Sequence, residues 1–153
     1  MRLFTALFPP PEAVAELERA LAEVRPGYPE LRWSPSERWH ITLCFHGEAD
    51  PAGKLDPFEG MSAPSVRFSG CGHFPGVLWI GVEGAVEPLA KAAGALPDWQ
   101  AHVTVARSRR AKRFPRLDFT GAEWTASEVA LVRSELGVGY TVLERVQLAT
   151  PSA

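Results

Sequence analysis

Cysteine is scarce in this 153-residue chain: Cys44 and Cys71 are the only two, and they form no C-x-x-C pair. That excludes a disulfide scaffold. Long apolar runs are missing too, since none approaches the ~18 residues a membrane span requires. The opening MRLFTALFPPPE has one arginine but neither an adequate apolar h-region nor a small-residue cleavage site, so no export signal is expected. Two thiols without an export signal point to the reducing cytoplasm. There is no P-loop G-x-x-x-x-G-K-[ST], which argues against nucleotide-driven chemistry. Low-complexity segments and linkers are also absent, and the length suits one domain over residues 1–153.

The composition is that of a globular protein, with 46% hydrophobic and 22% charged residues and a net charge of −2. The charge is uneven. Residues 107–116 read RSRRAKRFPR and hold six of the sixteen basic side chains: Arg107, Arg109, Arg110, Lys112, Arg113 and Arg116. A basic run on a near-neutral chain suggests a polyanionic ligand, although a solvated loop has the same signature.

Hydrophobic patterning predicts strands at Arg2–Phe8, Leu31–Ser34, His40–Phe45, Ser65–Phe68, Val77–Val82, Ala101–Ala106, Glu128–Leu136 and Tyr140–Leu148. Gly137-Val138-Gly139 joins the last two as a hairpin. Val14, Leu17, Leu21 and Val24 recur every three or four residues and predict a helix over Glu12–Val24. A shorter helix is predicted over Pro88–Leu96. Residues 46–64 read as a loop, and the Gly-rich stretch after Phe68 as a connection. Interspersed strands and helices with hairpin connections make the chain α+β.

One short pattern occurs twice. His40-Ile41-Thr42-Leu43 and His102-Val103-Thr104-Val105 are both His-apolar-Thr-apolar within strand-like runs. With a side-chain period of two, His40 and Thr42 share one face, with Ile41, Leu43 and Phe45 on the other. His102 and Thr104 oppose Val103 and Val105 in the same way. If the two strands come together, two imidazoles and two hydroxyls converge on one spot. Such a set suits phosphoester chemistry. One imidazole takes a proton from the attacking oxygen and the other protonates the leaving oxygen, both near neutral pH. Threonine hydroxyls donate to non-bridging oxygens. Arg107, five residues past His102, supplies charge stabilisation. His46 and His73 match no repeat and read as ordinary loop or surface histidines. A zinc site from His40, His46 and His102 lacks a carboxylate or cysteine at ligand spacing. Cys44 reads as a small buried hydrophobe. The tryptophans (Trp33, Trp39, Trp79, Trp99 and Trp124) read as core or rim packing, with one or two available to stack a base.

On these residues the chain resembles the two-histidine (2H) phosphoesterases, and within them the bacterial LigT-like RNA 2′,3′-cyclic phosphodiesterases, also called 2′-5′ RNA ligases. Trp39–Glu48 is similar to the first family motif, H-[IL]-T-L-x-F-[LI]-G, and His102–Arg107 to the second, H-[IL]-T-[LV]-x-R. RLFTALFPP is similar to the opening strand, and Leu131–Leu136 with Gly139–Leu143 to the closing hairpin. The chain departs from the pattern in three places. His46 replaces an aliphatic residue, Gln100-Ala101 precedes His102 where His-Pro is common, and only 62 residues separate His40 from His102.

The resemblance implies a duplicated bilobal fold, with two antiparallel sheets flanking a central cleft and helices outside. It implies catalysis by His40 and His102, with His40 as acid and His102 as base. Thr42, Thr104 and Arg107 would bind the substrate phosphate, and Arg109, Arg110, Lys112 and Arg113 would contact RNA backbone. No cofactor or metal is implied. The implied partner is an RNA end carrying a 2′,3′-cyclic phosphate, opened to a 2′-phosphate by a monomer, with reversal giving ATP-independent 2′-5′ ligation. Two other readings stay open. One is a non-catalytic module binding RNA ends or phosphate. The other is a phosphodiesterase of 2′-5′ oligonucleotides or small cyclic nucleotides.

Overall fold

The computed structural model describes residues 1–151. Nine strands and two helices follow in the order β1 (Arg2–Leu7), α1 (Pro11–Val24), β2 (Arg32–Trp33), β3 (Ile41–Glu48), β4 (Ser65–Phe74), β5 (Val77–Gly84), α2 (Glu87–Ala93), β6 (His102–Arg107), β7 (Trp124–Thr125), β8 (Glu128–Glu135) and β9 (Gly139–Gln147). They form two antiparallel sheets, β3-β1-β8-β9 and β2-β6-β5-β4-β7. The α+β expectation holds.

A strand–helix–strand unit occurs in each sheet. In the first, β1 leads through α1 to β3 and pairs with it antiparallel; in the second, β5 leads through α2 to β6 and does the same. The histidine motifs therefore occupy equivalent strands of two related units. They are not hydrogen-bonded neighbours.

Local sequence explains the helices. Pro11 opens α1 at the first helical position, where its missing N–H costs nothing. Ala13, Leu17 and Leu21, four residues apart, enter the main core with Leu3 and Leu7 of β1. Gly94, at φ +100°, ends α2 in the left-handed conformation that favours glycine, so the helix stops at Ala93, short of the predicted Leu96. The same core takes in Ile41 and Leu43 of β3, Leu78 and Ile80 of β5, and Val103 and Val105 of β6, so the apolar faces of both motif strands are anchored together. Burying one such side chain fully contributes roughly 1.5–3 kcal/mol. The far face of the first sheet carries a smaller cluster of Phe4, Ala6, Ala130 and Val132. Strand β1 is thus covered on both faces, which is why it reads as a mostly apolar run, interrupted by the buried Thr5, rather than an alternation.

Further expectations need correction. Residues 69–74, read as a connection, continue β4. Gly70 (φ +68°) takes up a bulge where the pairing shifts between Phe68 and Cys71, and Gly72 leaves room for the Trp79 indole. Residues 46–48, read as loop, extend β3, while a 3-10 turn at Asp56–Phe58 seats the fully buried Phe58. Phe45 does not share the core face with Ile41 and Leu43: it is 71% exposed. The cause is a β-bulge. Thr5 pairs with Cys44 and Ala6 with Thr42, so Leu43 is the extra residue and side-chain alternation resets after it.

A Cβ at Gly72 would collide with the Trp79 ring, which lies 6.0 Å from the His102 ring. Gly72→Ala is expected to destabilise the fold by about 1–3 kcal/mol through this overpacking. Denaturant titration checks it. Wild-type stability would show that Trp79 has room to move.

Candidate active site

Strands β3 and β6 form facing walls of a cleft of about 960 Å³. His40, Thr42, His102, Thr104 and Arg107 all line it. The five residues that the paired motifs singled out for the reacting phosphate are therefore brought together.

Both imidazoles are held the same way. His40 Nδ1 is 2.7 Å from the Arg38 carbonyl oxygen, and His102 Nδ1 is 2.9 Å from the Gln100 carbonyl oxygen. A carbonyl only accepts, so Nδ1 carries the proton in each ring. In the neutral ring this leaves Nε2 as a bare acceptor, able to take a proton from a ligand or, once charged, to return one. Aromatic rings fix the orientation. His40 stacks on Phe4 at 4.8 Å and meets the edge of Tyr140 at 5.3 Å, while His102 lies edge-on to Phe74 at 5.5 Å. Trp99 ties the two motifs together: its indole N–H donates to the Thr42 carbonyl at 2.8 Å from a segment three residues before His102.

Arg107 reaches the cleft by way of a bulge. Five residues from His102 is an odd spacing, and strict alternation would turn Arg107 away from the histidine. In β6, however, Leu78 pairs with Ala106 and Trp79 with Thr104, leaving Val105 as the extra residue. Val105 and Ala106 are both buried, and Arg107 swings back to the cleft side. Leu43 of β3 is bulged at the same distance from His40. Phe45 is thus to His40 what Arg107 is to His102, and both line the cleft. The sequence reading missed Phe45 as a cleft residue, yet the equal spacing of five was there to be compared.

The His40 pKa lies below the ordinary imidazole value of 6.5. Burial is the main cause, the Arg38 carbonyl opposes it, and the positive charges of His102 and Arg107 add to the lowering. The Cys44 thiol also lines the cleft, and burial pushes its pKa up, which disfavours a thiolate nucleophile. His46 does not join the cleft residues. Its Nε2 shares a 2.7 Å hydrogen bond with the buried Thr5 hydroxyl, and burial lowers its pKa. His73 stacks on Phe114 at 5.0 Å. Among the described residues, no three His, Cys, Asp or Glu side chains are grouped as metal ligands would be.

The basic run divides. Arg109, Arg110, Lys112 and Arg113 line a second concavity of about 730 Å³, which shares Arg107 with the main cleft. Arg113 is engaged internally, donating to the Gly27 carbonyl at 3.3 Å and lying 4.7 Å over the Tyr28 ring. It pins the loop down. Arg109 and Arg110 are exposed.

Comparison with known proteins finds relatives of this chain. A family model described as LigT like Phosphoesterase matches residues 7–82. A curated protein of Thermus thermophilus, named RNA 2′,3′-cyclic phosphodiesterase, is 35% identical over 182 residues, spanning 97% of this chain and 90% of that protein. A crystal structure from Thermus thermophilus superposes with a TM-score of 0.80 at 33% identity, covering 97% of this chain and 98% of that one. The apo form of E. coli LigT gives a TM-score of 0.78 at 23% identity, over 96% of each chain.

If the cations of the cleft help hold His40 neutral, removing one raises its pKa. Titration of the His40 ring by NMR is expected to give a midpoint below 6.5 in the wild type and a higher one in Arg107→Ala. A midpoint that stays put or falls in the variant would contradict the stated charge coupling.

Proposed function

The chain belongs to the LigT-like phosphoesterase family, and on that premise we propose that His40 and His102 perform its chemistry as an acid–base pair within one domain. The protein is an RNA 2′,3′-cyclic phosphodiesterase. The observation that carries the site assignment is the matched presentation of the two imidazoles, each with Nδ1 bound to a carbonyl two residues earlier and both lining one cleft with Thr42, Thr104 and Arg107.

In this reading the cyclic phosphate sits between β3 and β6. The Thr42 and Thr104 hydroxyls donate to its non-bridging oxygens, and the Arg107 guanidinium balances the charge that builds there. Water attacks phosphorus as His102 Nε2 takes its proton. The P–O3′ bond breaks as His40 Nε2–H protonates the departing O3′, and a 2′-phosphate remains. His40 must be charged to do this, and burial with the neighbouring cations opposes that. The anionic phosphodiester supplies the missing counter-charge, so the acid is armed when substrate is present. With a ribose 5′-hydroxyl in place of the water, the same two proton transfers run the 2′-5′ joining reaction. Arg109, Arg110 and Lys112 lie where an RNA backbone leaving the cleft passes them. Arg113 acts on that backbone indirectly, by holding the loop in place.

His40→Ala and His102→Ala are each expected to cut turnover of a cyclic-phosphate-ended oligoribonucleotide by about 10²–10⁴-fold, with the fold intact by circular dichroism. Wild-type turnover is expected to survive chelation by EDTA. Full activity in either variant would remove that histidine from the reaction, and loss of activity in EDTA would require a metal.

A further inference from the structure

Arg32 belongs to neither histidine motif, yet it stands directly across the β2–β6 ladder from Arg107. Directly opposed residues of an antiparallel pair project to the same face, with Cβ atoms roughly 4.5–5.5 Å apart, and like charges there repel. Nothing nearby neutralises them: among the described residues, neither guanidinium makes an ion pair. Arg32 and Arg107 are both exposed, and both line the main cleft and the second concavity. The second concavity is basic, lined also by Arg109, Arg110 and Lys112. Glu30 is the carboxylate in its lining, and it pairs with none of these cations.

Two unpaired guanidiniums held side by side are a site for an anion, since a bound phosphate turns their repulsion into a pair of charge-assisted hydrogen bonds. The position says which anion. Arg107 is assigned above to the reacting phosphate, and Arg32 lies one strand further out, on the way into the basic concavity. The RNA chain continues from the terminal ribose through its 5′ oxygen, so the next phosphate is the phosphodiester that precedes the terminal nucleotide. Resting on the phosphodiesterase reading, we infer that Arg32, beside Arg107, is the subsite for that penultimate phosphate, so that the enzyme distinguishes an RNA end from a free cyclic nucleotide at this point.

The test compares a 2′,3′-cyclic mononucleotide with a dinucleotide ending in the same cyclic phosphate, using wild type, Arg32→Gln and Arg32→Lys. Wild type is expected to show the lower KM on the dinucleotide. Arg32→Gln is expected to raise the dinucleotide KM about tenfold more than the mononucleotide KM, the loss of one charge-assisted contact, and Arg32→Lys to fall between. Equal changes on the two substrates would place Arg32 at the reacting phosphate and overturn the inference, as would no change on either. Calorimetry with adenosine 2′-phosphate and adenosine 2′,5′-bisphosphate separates this inference from the reaction itself. The added 5′-phosphate is expected to tighten binding to wild type and to lose that gain in Arg32→Gln, even if no substrate is turned over. If Arg32→Gln does not fold, Arg32→Lys and the salt dependence of wild-type binding decide. The bisphosphate is then expected to show the steeper slope, and equal slopes would overturn the assignment.

Discussion

Each histidine ring is pinned by one hydrogen bond, from Nδ1 to the carbonyl two residues before it, and the chemistry of the cleft depends on that bond being made twice. Its net contribution to stability is about 0.5–1.5 kcal/mol. Its larger effect is to choose the tautomer. A ring protonated at Nδ1 has only Nε2 left to exchange a proton, and two such rings on facing strands can serve as the proposed acid–base pair without any carboxylate to orient them. The proposed donors to the phosphate lie on the same strands, because Thr42 and Thr104 are one period further along the histidine faces.

Duplication of the strand–helix–strand unit explains the matched presentation, and the paired bulges explain the difference in function between the two sides. Leu43 and Val105 are the extra residues at equivalent points. Each bulge turns the residue two places later into the cleft, but that residue is Phe45 on one side and Arg107 on the other. One backbone device thus turns an apolar side chain into the cleft on the His40 strand and a charged one on the His102 strand. A nucleotide is asymmetric in the same sense, with an aromatic base and an anionic phosphate. The basic concavity opens on the Arg107 side, so charge continues outward from the cleft in the direction a polyanion needs.

Much of this was legible in the residues. The doubled His-x-Thr pattern identified both facing strands, the spacing of Val14, Leu17, Leu21 and Val24 marked α1, and Gly137-Val138-Gly139 marked the final hairpin. What strict alternation hid were the bulges. Phe45 was assigned to the core because nothing in Leu43-Cys44-Phe45 announces an inserted residue, and the inward turn of Arg107 rested on proximity alone. Gly70 and Gly72 looked like a connection because glycine usually interrupts strands; here one takes up a bulge and the other makes room for Trp79. Arg113 looked equivalent to its neighbours in the basic run, and only its contact with Gly27 and Tyr28 separates it from them. Arg32 lies in the strand expected at Leu31–Ser34, but only the ladder that sets it opposite Arg107 marks it as part of the site.

The proposed reaction turns on attack by water at phosphorus with departure of O3′ between the two imidazoles. Its most direct test is hydrolysis of a 2′,3′-cyclic-phosphate-ended oligoribonucleotide in oxygen-18 water, with the product identified by phosphorus NMR. The expected product is a 2′-phosphomonoester with the label on phosphorus. A 3′-phosphate, or a label found on the ribose instead, would contradict it.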